Sequence, residues 1–491
     1  METFWFLVTY ITNLDGFYIM KDSRKQVEID MDRTIKWDIT HECNLRCKHC
    51  YNSEYFYMQE KKEPEVHAVI EAMGTLKEMG VTRIHYLGGE PLMAPALIPS
   101  MLFAKKNNIT TTITTNGTLL TQNMAEMLFE LNIAFLSVSL EGISSYTNDI
   151  IRGKGTFNNV VSNLKNVVSL RNNMKYKSKI FLTLTLNRYN LCEAEKILSF
   201  ADNLGVDGVL VASLDKLGNA EQRWNDIGVS VEEKLDTFEK IVLHKEKFPN
   251  MYLELVCKDI FSEYLLKKYN WENGYLKQEK SFCNGADEEY YIQANGNIWP
   301  CHKCSEKNNE YIQMSNRCNV NLVPNIYDMK CDEIFNNQYL NHFFEFSRDI
   351  VNYENARVCR KCKYAYKCMP CPLECMENYA SEECTCARKK LKELENRIKN
   401  GYIEIAENIK IDRLNRECIY VYSIKNQEKI ILEELEKDVW ECIQYEKLTV
   451  NELISSLYEE YKDTIEYTIF ADDLLEFIYA LRAKKVIKLR Y

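Results

Sequence analysis

Residues 34–52 read TIKWDITHECNLRCKHCYN. A short β-rich run, TIKWDIT, leads into a loop that carries Cys43, Cys47 and Cys50. From here to about Leu214 the same grammar repeats. Runs rich in β-branched and aromatic residues (RIHYLGG, TTTITTN, AFLSVSL, KIFLTLTL, GVLVASL) alternate with helically spaced stretches such as VHAVIEAMGTLKEMG and FNNVVSNLKNVVSL. Strands alternating with helices of this length mean βαβ units and a parallel sheet. Six such units predict an α/β fold, a partial (β/α)6 barrel rather than the closed eight-fold one. Function is then expected at the C-terminal ends of the strands.

The composition bounds what such a barrel does. The chain has 491 residues, about three domains at roughly 150 residues each. Lys+Arg 62 against Asp+Glu 72 gives a net charge of -10, the wrong sign for a protein that lives on phosphate contacts, so neither nucleic acid nor an anionic membrane is expected as partner. The start METFWFLVTYITNLDGFYIMKD lacks a basic region with a small-residue cleavage site, and no apolar run reaches ~18 residues. A cytoplasmic protein is expected. The 19 cysteines then stand out, because a reducing cytosol gives disulfides no advantage and dense cysteine there points to metal or redox chemistry.

The domain organisation expected is an N-terminal segment over 1–33, the barrel over 34–250, a helical bridge over 251–282, a cysteine-rich region over 283–390 and a small module over 391–491. ARKKLKELENRIKNG reads as a connecting helix ending near Gly401. The last module carries strand-like CIYVYSI and KIILEEL, helices EKDVWECIQ, VNELISSLYEEY and ADDLLEFIYALRAKK, and a final strand VIKLRY. This predicts a small winged-helix-like α+β unit with a helical core.

Cys43, Cys47 and Cys50 are spaced C-x3-C-x2-C. Three thiolates on one loop can hold three irons of a cubane cluster and leave the fourth iron open. Zinc, completed by His41 or His49, is the alternative. The second strand ends in Gly88-Gly89-Glu90-Pro91, where glycines permit close backbone approach and Glu90 can neutralise an ammonium. The fourth strand ends in Ser139-Leu140-Glu141-Gly142, and IIRGKGTF follows with Arg152.

Together these motifs resemble the radical SAM superfamily over about 34–214. The resemblance implies a [4Fe–4S] cluster at Cys43, Cys47 and Cys50 whose open iron chelates S-adenosyl-L-methionine. It places His49 at the ring position before the last cysteine and Gly88, Gly89, Glu90 and Pro91 at the methionyl amino group. Ser139 and Glu141 fall at the ribose, and Arg152 at the carboxylate. Thr115, Asn116 and Asn187, at two further strand ends, are weaker members of the same set because turn-forming residues are common there.

The remaining cysteines form a second pattern. Cys283, Gly296 and Cys301 are spaced C-x12-G-x4-C, and CRKCKYAYKCMPCPLEC supplies Cys359, Cys362, Cys368, Cys371 and Cys375, with Cys384 and Cys386 beyond. Spacing alone suits zinc ribbons or further iron–sulfur clusters. Behind a radical SAM core the pattern resembles the SPASM domain, which implies two auxiliary [4Fe–4S] clusters and so three clusters in all. The carry-over gives Cys283, Cys301 and Cys371 to the first, with Cys304 as fourth ligand or an open iron. Cys359, Cys362, Cys368 and a late cysteine, preferably Cys386, go to the second. Two departures are evident: only two residues separate Cys368 from Cys371, and the interval to Cys386 is short. Sulfatase-maturing relatives carry an Asp base directly after the Gly-x4-Cys cysteine, where this chain has His302, which argues against that activity. Cys192, Cys257, Cys318, Cys331, Cys418 and Cys442 read as small core residues.

Joined to such a core, the last module resembles the PqqD-like leader-recognition domains of peptide-maturation systems. ADDLLEFIYAL and a strand edge near Ile419–Ile424 are its groove candidates, since such modules pair a peptide strand against a sheet edge. The expected protein is a radical SAM peptide maturase acting on a ribosomally made precursor bound through its leader, with flavodoxin or ferredoxin as electron donor. A thioether crosslink is the preferred product; carbon–carbon crosslinking, decarboxylation and epimerisation are the alternatives, and a non-enzymatic zinc/cysteine scaffold the remote one. The resemblance assigns no catalytic residue on the protein.

Overall fold

The computed structural model describes residues 33–53, 63–271, 283–306, 323–349, 359, 362–364, 368, 371–375, 381–413, 418–423 and 429–490. The N-terminal segment expected over 1–33 therefore lies outside them except for Arg33, and so do Cys318 and Ile424.

The six expected strands are present: β1 (Arg33–Asp38), β2 (Val81–Leu87), β3 (Thr110–Thr115), β4 (Phe135–Ser139), β5 (Lys179–Thr185) and β6 (Gly208–Ala212). The helices between them include α1 (Val66–Glu78), α2 (Leu97–Lys106), α3 (Gln122–Glu130), α4 (Ser145–Arg152), α5 (Thr156–Met174) and α6 (Ile197–Leu204). Each strand pairs in parallel with its neighbour. Alternation along each strand sorts its side chains onto two faces. Ile35, Trp37, Ile84, Tyr86, Leu136, Leu182 and Val209 are fully buried on one face, the one covered by the helices, where each aliphatic contributes ~1.5–3 kcal/mol. Local caps stop the helices where loops must begin. Thr121 accepts from the Met124 N–H to start α3, and Ser144 accepts from Thr147 to start α4.

The sheet is wider than six strands. Residues 251–282, expected as a helical bridge, open with β7 (Tyr252–Val256), which continues the parallel order beside β6. YLELV alternates with period two, but five residues between helices leave that signal weak. On the other side, β8 (Glu289–Ile292) pairs in parallel with β1, and β9 (Ile298–Trp299) pairs antiparallel with β8. The order is β7-β6-β5-β4-β3-β2-β1-β8-β9. The cysteine-rich segment thus supplies a strand to the barrel wall, because the free edge of β1 carries backbone groups that need partners.

Two further helices lie outside the wall, α7 (Val231–Lys245) and α8 (Asp259–Tyr269). A long helix, α9 (Glu382–Lys399), packs on both and also on the C-terminal module. A boundary between 390 and 391 falls inside this one helix, which buries Ala387, Leu391, Leu394 and Ile398 along a single stripe. The module itself has β10 (Tyr402–Ile405) paired with a late strand, β14 (Ile487–Arg490). Between them run β11 (Ile409–Arg413), β12 (Cys418–Ser423), β13 (Lys429–Glu433), and the helices α10 (Glu434–Tyr445), α11 (Val450–Tyr461) and α12 (Tyr467–Ala483). Among the described residues no helix is long and apolar enough to cross a membrane.

Both groove candidates of the module need correction. The stretch from Ile419 lies in β12, which is the middle strand of the β11-β12-β13 sheet and has no open edge. ADDLLEFIYAL lies in α12, whose apolar residues Phe470, Ala471, Leu474, Leu475 and Ile478 are already buried. This helix docks on the barrel side: Arg482 donates to the Lys267 and Lys268 carbonyls at 2.9 and 2.6 Å, and the Lys267 ammonium meets Glu476 at 2.5 Å and the Tyr479 ring at 4.6 Å. The cysteines outside the two patterns are not all core residues either. Cys418 is buried, Cys257, Cys331 and Cys442 are half-buried, and Cys192 is exposed.

Truncation after Gly401 would strip the module's packing from α9 and take Glu476 and the Tyr479 ring away from Lys267, leaving it Glu263 at 3.6 Å and the Tyr364 ring. Calorimetry should therefore show the truncated chain melting well below the full chain, by more than 5 °C. An unchanged melting temperature for the barrel transition would show that the module is merely tethered.

Candidate functional site

The loop after β1 is held by its backbone. Gly89 and Glu90 donate their N–H groups to the carbonyls of Thr40 and Glu42 at 2.8 and 2.7 Å. A Cβ on Gly88 would stand 2.6 Å from the Thr40 oxygen, and one on Gly89 would overlap the Glu42 carbonyl. The glycines are therefore required by the chain's own loop lying against them. From the far side, Lys48 donates to the Ile151 carbonyl at 2.9 Å, and Asn219 donates from its backbone and side chain to the carbonyls of Cys50 and Cys47, each at 3.0 Å. Gly218, at φ +53°, packs against the Tyr51 and Cys50 carbonyls where a side chain would not fit.

This clamp gathers Cys43, Cys47 and Cys50. Burial raises all three thiols, Cys47 to about 11; Cys43 adds like charge to Cys47, both add it to Cys50, and Arg152 opposes the rise. An Arg152 nitrogen lies 3.9 Å from the Cys47 sulfur, and the Asn116 amide lies 4.0 Å from that of Cys43. Asn116 also donates to Asn44 at 2.9 Å.

Glu141 anchors the opposite wall. Its Oε1 meets Arg152 at 2.7 Å and His49 Nε2 at 2.9 Å, and its Oε2 accepts from the Thr185 N–H at 2.8 Å. Burial alone would raise this carboxyl, but His49 and Arg152 outweigh it and hold it at about 2. Ser139, the last residue of β4 and two before Glu141, is buried.

Two assigned residues behave differently from expectation. Glu90 is 1% exposed. It accepts from Thr115 Oγ1 at 2.6 Å, Leu92 N–H at 3.1 Å and Asn116 N–H at 2.7 Å, so its carboxylate ties the strand ends together rather than facing a ligand's ammonium. Asn187 turns into its own bend, donating to the Thr185 carbonyl at 3.1 Å and accepting from Tyr189 at 3.0 Å. Pro91 opens the single turn after β2 that Glu90 caps. Asn219, Gly218, Asn148 and Asn190 were not legible beforehand. Asn148 accepts from the Glu141 N–H at 3.0 Å and Asn190 donates to its carbonyl at 3.1 Å, but in the sequence all four look like ordinary turn residues.

The residues fit a cluster. His49 Nδ1 is buried and has no hydrogen-bond partner among the described residues, which leaves one polar atom beside the thiols for a ligand. Three raised thiols near one guanidinium are a poor arrangement by themselves, and coordinated metal removes the penalty by deprotonating them. Among the described residues no three His, Cys, Asp or Glu side chains gather as ligands of a single metal ion. A cubane needs less convergence, since each thiolate takes its own iron.

The later cysteines sort into two groups. Cys283, Cys301, Cys304 and Cys371 lie within electrostatic reach of one another. The Cys301 and Cys304 sulfurs are 3.6 Å apart and share a hydrogen bond, which lowers Cys301, while burial and that bond raise Cys304. Cys359, Cys368 and Cys384 form the second group, with burial pushing Cys368 up to about 12. Cys362 adjoins it, donating its N–H to the Cys359 carbonyl at 3.0 Å. Cys386, preferred from the sequence, instead faces Glu232, Asp236 and Lys390. Two residues apart on a helix means about 200° of rotation, so Cys384 and Cys386 cannot face the same group. His302 joins the first group to the loop after β1. Its ring lies 6.0 Å edge-on from Tyr51, which follows Cys50, and 6.4 Å from Tyr291.

Comparison with known proteins agrees with this geometry. Residues 37–201, which fall in the mixed α/β, largely parallel core, match the model of the radical SAM superfamily. The Fe-coproporphyrin III synthase of Methanosarcina barkeri is 29% identical over 48% of this chain and 60% of its own length. The mycofactocin maturase MftC of Mycobacterium tuberculosis is 22% identical over 45% of this chain and 54% of its own. The chain thus spans little more than half the length of these relatives. Among solved structures, Streptococcus suis SuiB bound to S-adenosylmethionine superposes with a TM-score of 0.54 at 16% identity, over 72% of this chain and 77% of that one. SuiB is also known bound to its precursor peptide SuiA, at a TM-score of 0.51 and 15% identity over 69% and 71%.

Arg152→Met would leave Glu141 and Cys47 buried without their guanidinium, at a cost on the order of 3–5 kcal/mol visible in the denaturant midpoint. Because Glu141 sits below its ordinary value of 4.5, it adds stability above that value which is lost as pH falls from 4.5 toward 2. Glu141→Gln should flatten that part of the stability curve; an unchanged slope would mean that other carboxylates carry it.

Proposed function

We propose that the protein is a radical SAM enzyme that modifies a ribosomally made precursor peptide, with a thioether crosslink as product. The observation that carries the reading is the convergence of Cys43, Cys47 and Cys50 beside Arg152, His49 and Glu141 at the strand C-terminal ends, with a four-cysteine group built onto the neighbouring strand β8. Cys43, Cys47 and Cys50 would hold the first [4Fe–4S] cluster. Bound there with S-adenosyl-L-methionine and given one electron by a flavodoxin or ferredoxin, it would supply methionine and a 5′-deoxyadenosyl radical that takes a hydrogen atom from the substrate; closing the thioether would then release the thiol proton and one electron, for which an auxiliary cluster would be the acceptor. Arg152 would receive the methionyl carboxylate as a charge-assisted partner. His49 and Ser139 would line the same space, while Glu141 holds Arg152 and His49 in position. The backbone of Gly88–Pro91, fastened through Glu90, forms the wall against the methionyl amino group.

Two SPASM-like auxiliary clusters complete the reading: Cys283, Cys301, Cys304 and Cys371 for one, and Cys359, Cys362, Cys368 and Cys384 for the other. A leader peptide would add to the C-terminal module at β11 or β13 rather than β12. β13 carries Ile431 half-exposed and pairs only with β12 among the described residues. A tetrapyrrole substrate is the second reading, favoured by the coproporphyrin synthase among the relatives.

Replacing Cys43, Cys47 and Cys50 together by Ala should abolish 5′-deoxyadenosine formation by the reduced protein and remove about four irons, leaving the rest bound. Cofactor cleavage at the original rate by this variant would refute the radical SAM mechanism. Cys384→Ser should lower iron content by up to one further cluster, and Cys386→Ser should leave it unchanged; the reverse pattern would return the second auxiliary site to Cys386.

A further inference from the structure

The second face of the barrel wall has an unusual chemistry. A filled barrel interior is packed with branched apolar side chains. Here the inward row across β1, β2 and β3 is Lys36, His85 and Thr112, in direct register. His85 Nδ1 shares a 2.7 Å hydrogen bond with Thr112 and Nε2 one of 3.0 Å with Thr114. Further round, the Ser137 and Thr183 hydroxyls bond at 2.5 Å. Beneath this belt Phe135 meets the Phe181 ring at 5.4 Å, and Phe181 meets Tyr252 at 5.4 Å, so the lumen has an aromatic floor. Thr114 and Thr183 remain partly open. They lie two residues below Asn116 and Thr185, about 7 Å at the rise of a strand.

The belt is polar without net charge. Lys36 pairs with Glu289 at 2.7 Å, so its ammonium is not free to take an anion. His85 stays neutral because burial, aided by Lys36, lowers its pKa to about 3. Each hydroxyl has one proton and two lone pairs, and a single bond to His85 or to each other leaves capacity unused. An aliphatic group entering here would strip water from these groups and return nothing, which costs more than a missing methyl contact.

We infer that the lumen between the cysteine loop and the Phe135–Phe181–Tyr252 floor receives the side chain of the peptide residue under modification. It selects a small uncharged hydrogen-bonding side chain, such as threonine, serine or asparagine, over an aliphatic one of the same size. This rests on the peptide reading of the same barrel. Thr114 and Thr183 are the specificity residues, with His85 positioning Thr114.

The test compares two isosteric probes, acetyl-Ala-Ala-Thr-Ala-Ala-amide and its valine counterpart. Saturation-transfer NMR titrations use the full-length protein carrying its clusters and S-adenosylmethionine, without reductant, so that no turnover occurs. The threonine probe should bind at least about tenfold tighter, and Thr114→Val with Thr183→Val, both volume-conserving, should erase the difference. Thr114→Val alone, measured in parallel, should halve the preference or more and keeps the test valid if the double variant does not fold. Equal or tighter binding of the valine probe, or a preference that survives the substitutions, overturns the assignment while leaving the peptide reading intact. If neither probe binds, the assignment falls; if iron coproporphyrin III then binds, the peptide reading falls with it.

Discussion

The upper end of the barrel depends on a set of backbone hydrogen bonds that pin residues 40–50 between two glycine-bearing turns. Gly88–Gly89 presses from β2 and Gly218–Asn219 from β6. Neither turn supplies a reactive group. Each fixes carbonyls of the loop, and a loop whose carbonyls are fixed delivers its thiols to fixed points without needing any bond to the sulfurs themselves. This explains how a short irregular segment can serve as a rigid ligand platform, where loops are ordinarily the most mobile part of a domain.

Charge is handled by the same economy of parts. Burying Glu141 by itself would be costly, and burying Arg152 by itself more so. Paired through bonds to His49 and the Thr185 backbone, they become a fixed dipole beside the cysteines. Such a pair adds little to stability compared with well-packed apolar groups, yet losing one partner is expensive. Its value lies in orientation: the guanidinium is already in place before any anionic group arrives, so little reorganisation is needed.

Much of this was readable from the chain because the relevant signals are local. β-branched runs separated by amphipathic helices mark six strands of a parallel sheet, and Cys43, Cys47 and Cys50 declare themselves by spacing. The same holds for Cys283 and Cys301. What stayed hidden depends on contacts between distant residues. That Glu90 turns inward is set by Thr115 and Asn116 on another strand, and that Asn219 supports Cys50 is set by a turn 169 residues later in the chain. The choice between Cys384 and Cys386 required knowing that both lie on one helix and which face of it is covered. YLELV and EYYI were missed as strands because each is short and gains its partner only from the assembled sheet. The open edge expected near Ile419 failed for the opposite reason, since β11 had carried too weak a pattern to be recognised as its second neighbour.

The parallel pairing of β1 with β8 has a consequence for biosynthesis. Lys36 and Glu289, joined across that pairing, are 253 residues apart. At synthesis rates of ~5–20 residues per second, β1 waits roughly 13–50 s for its second neighbour to leave the ribosome. During that interval the strand that leads into the cysteine loop is an edge, and the loop is uncovered on the side where His302 will later meet Tyr51. The order of emergence therefore leaves a period in which the loop carrying Cys43, Cys47 and Cys50 lacks the cover that β8 and His302 later provide.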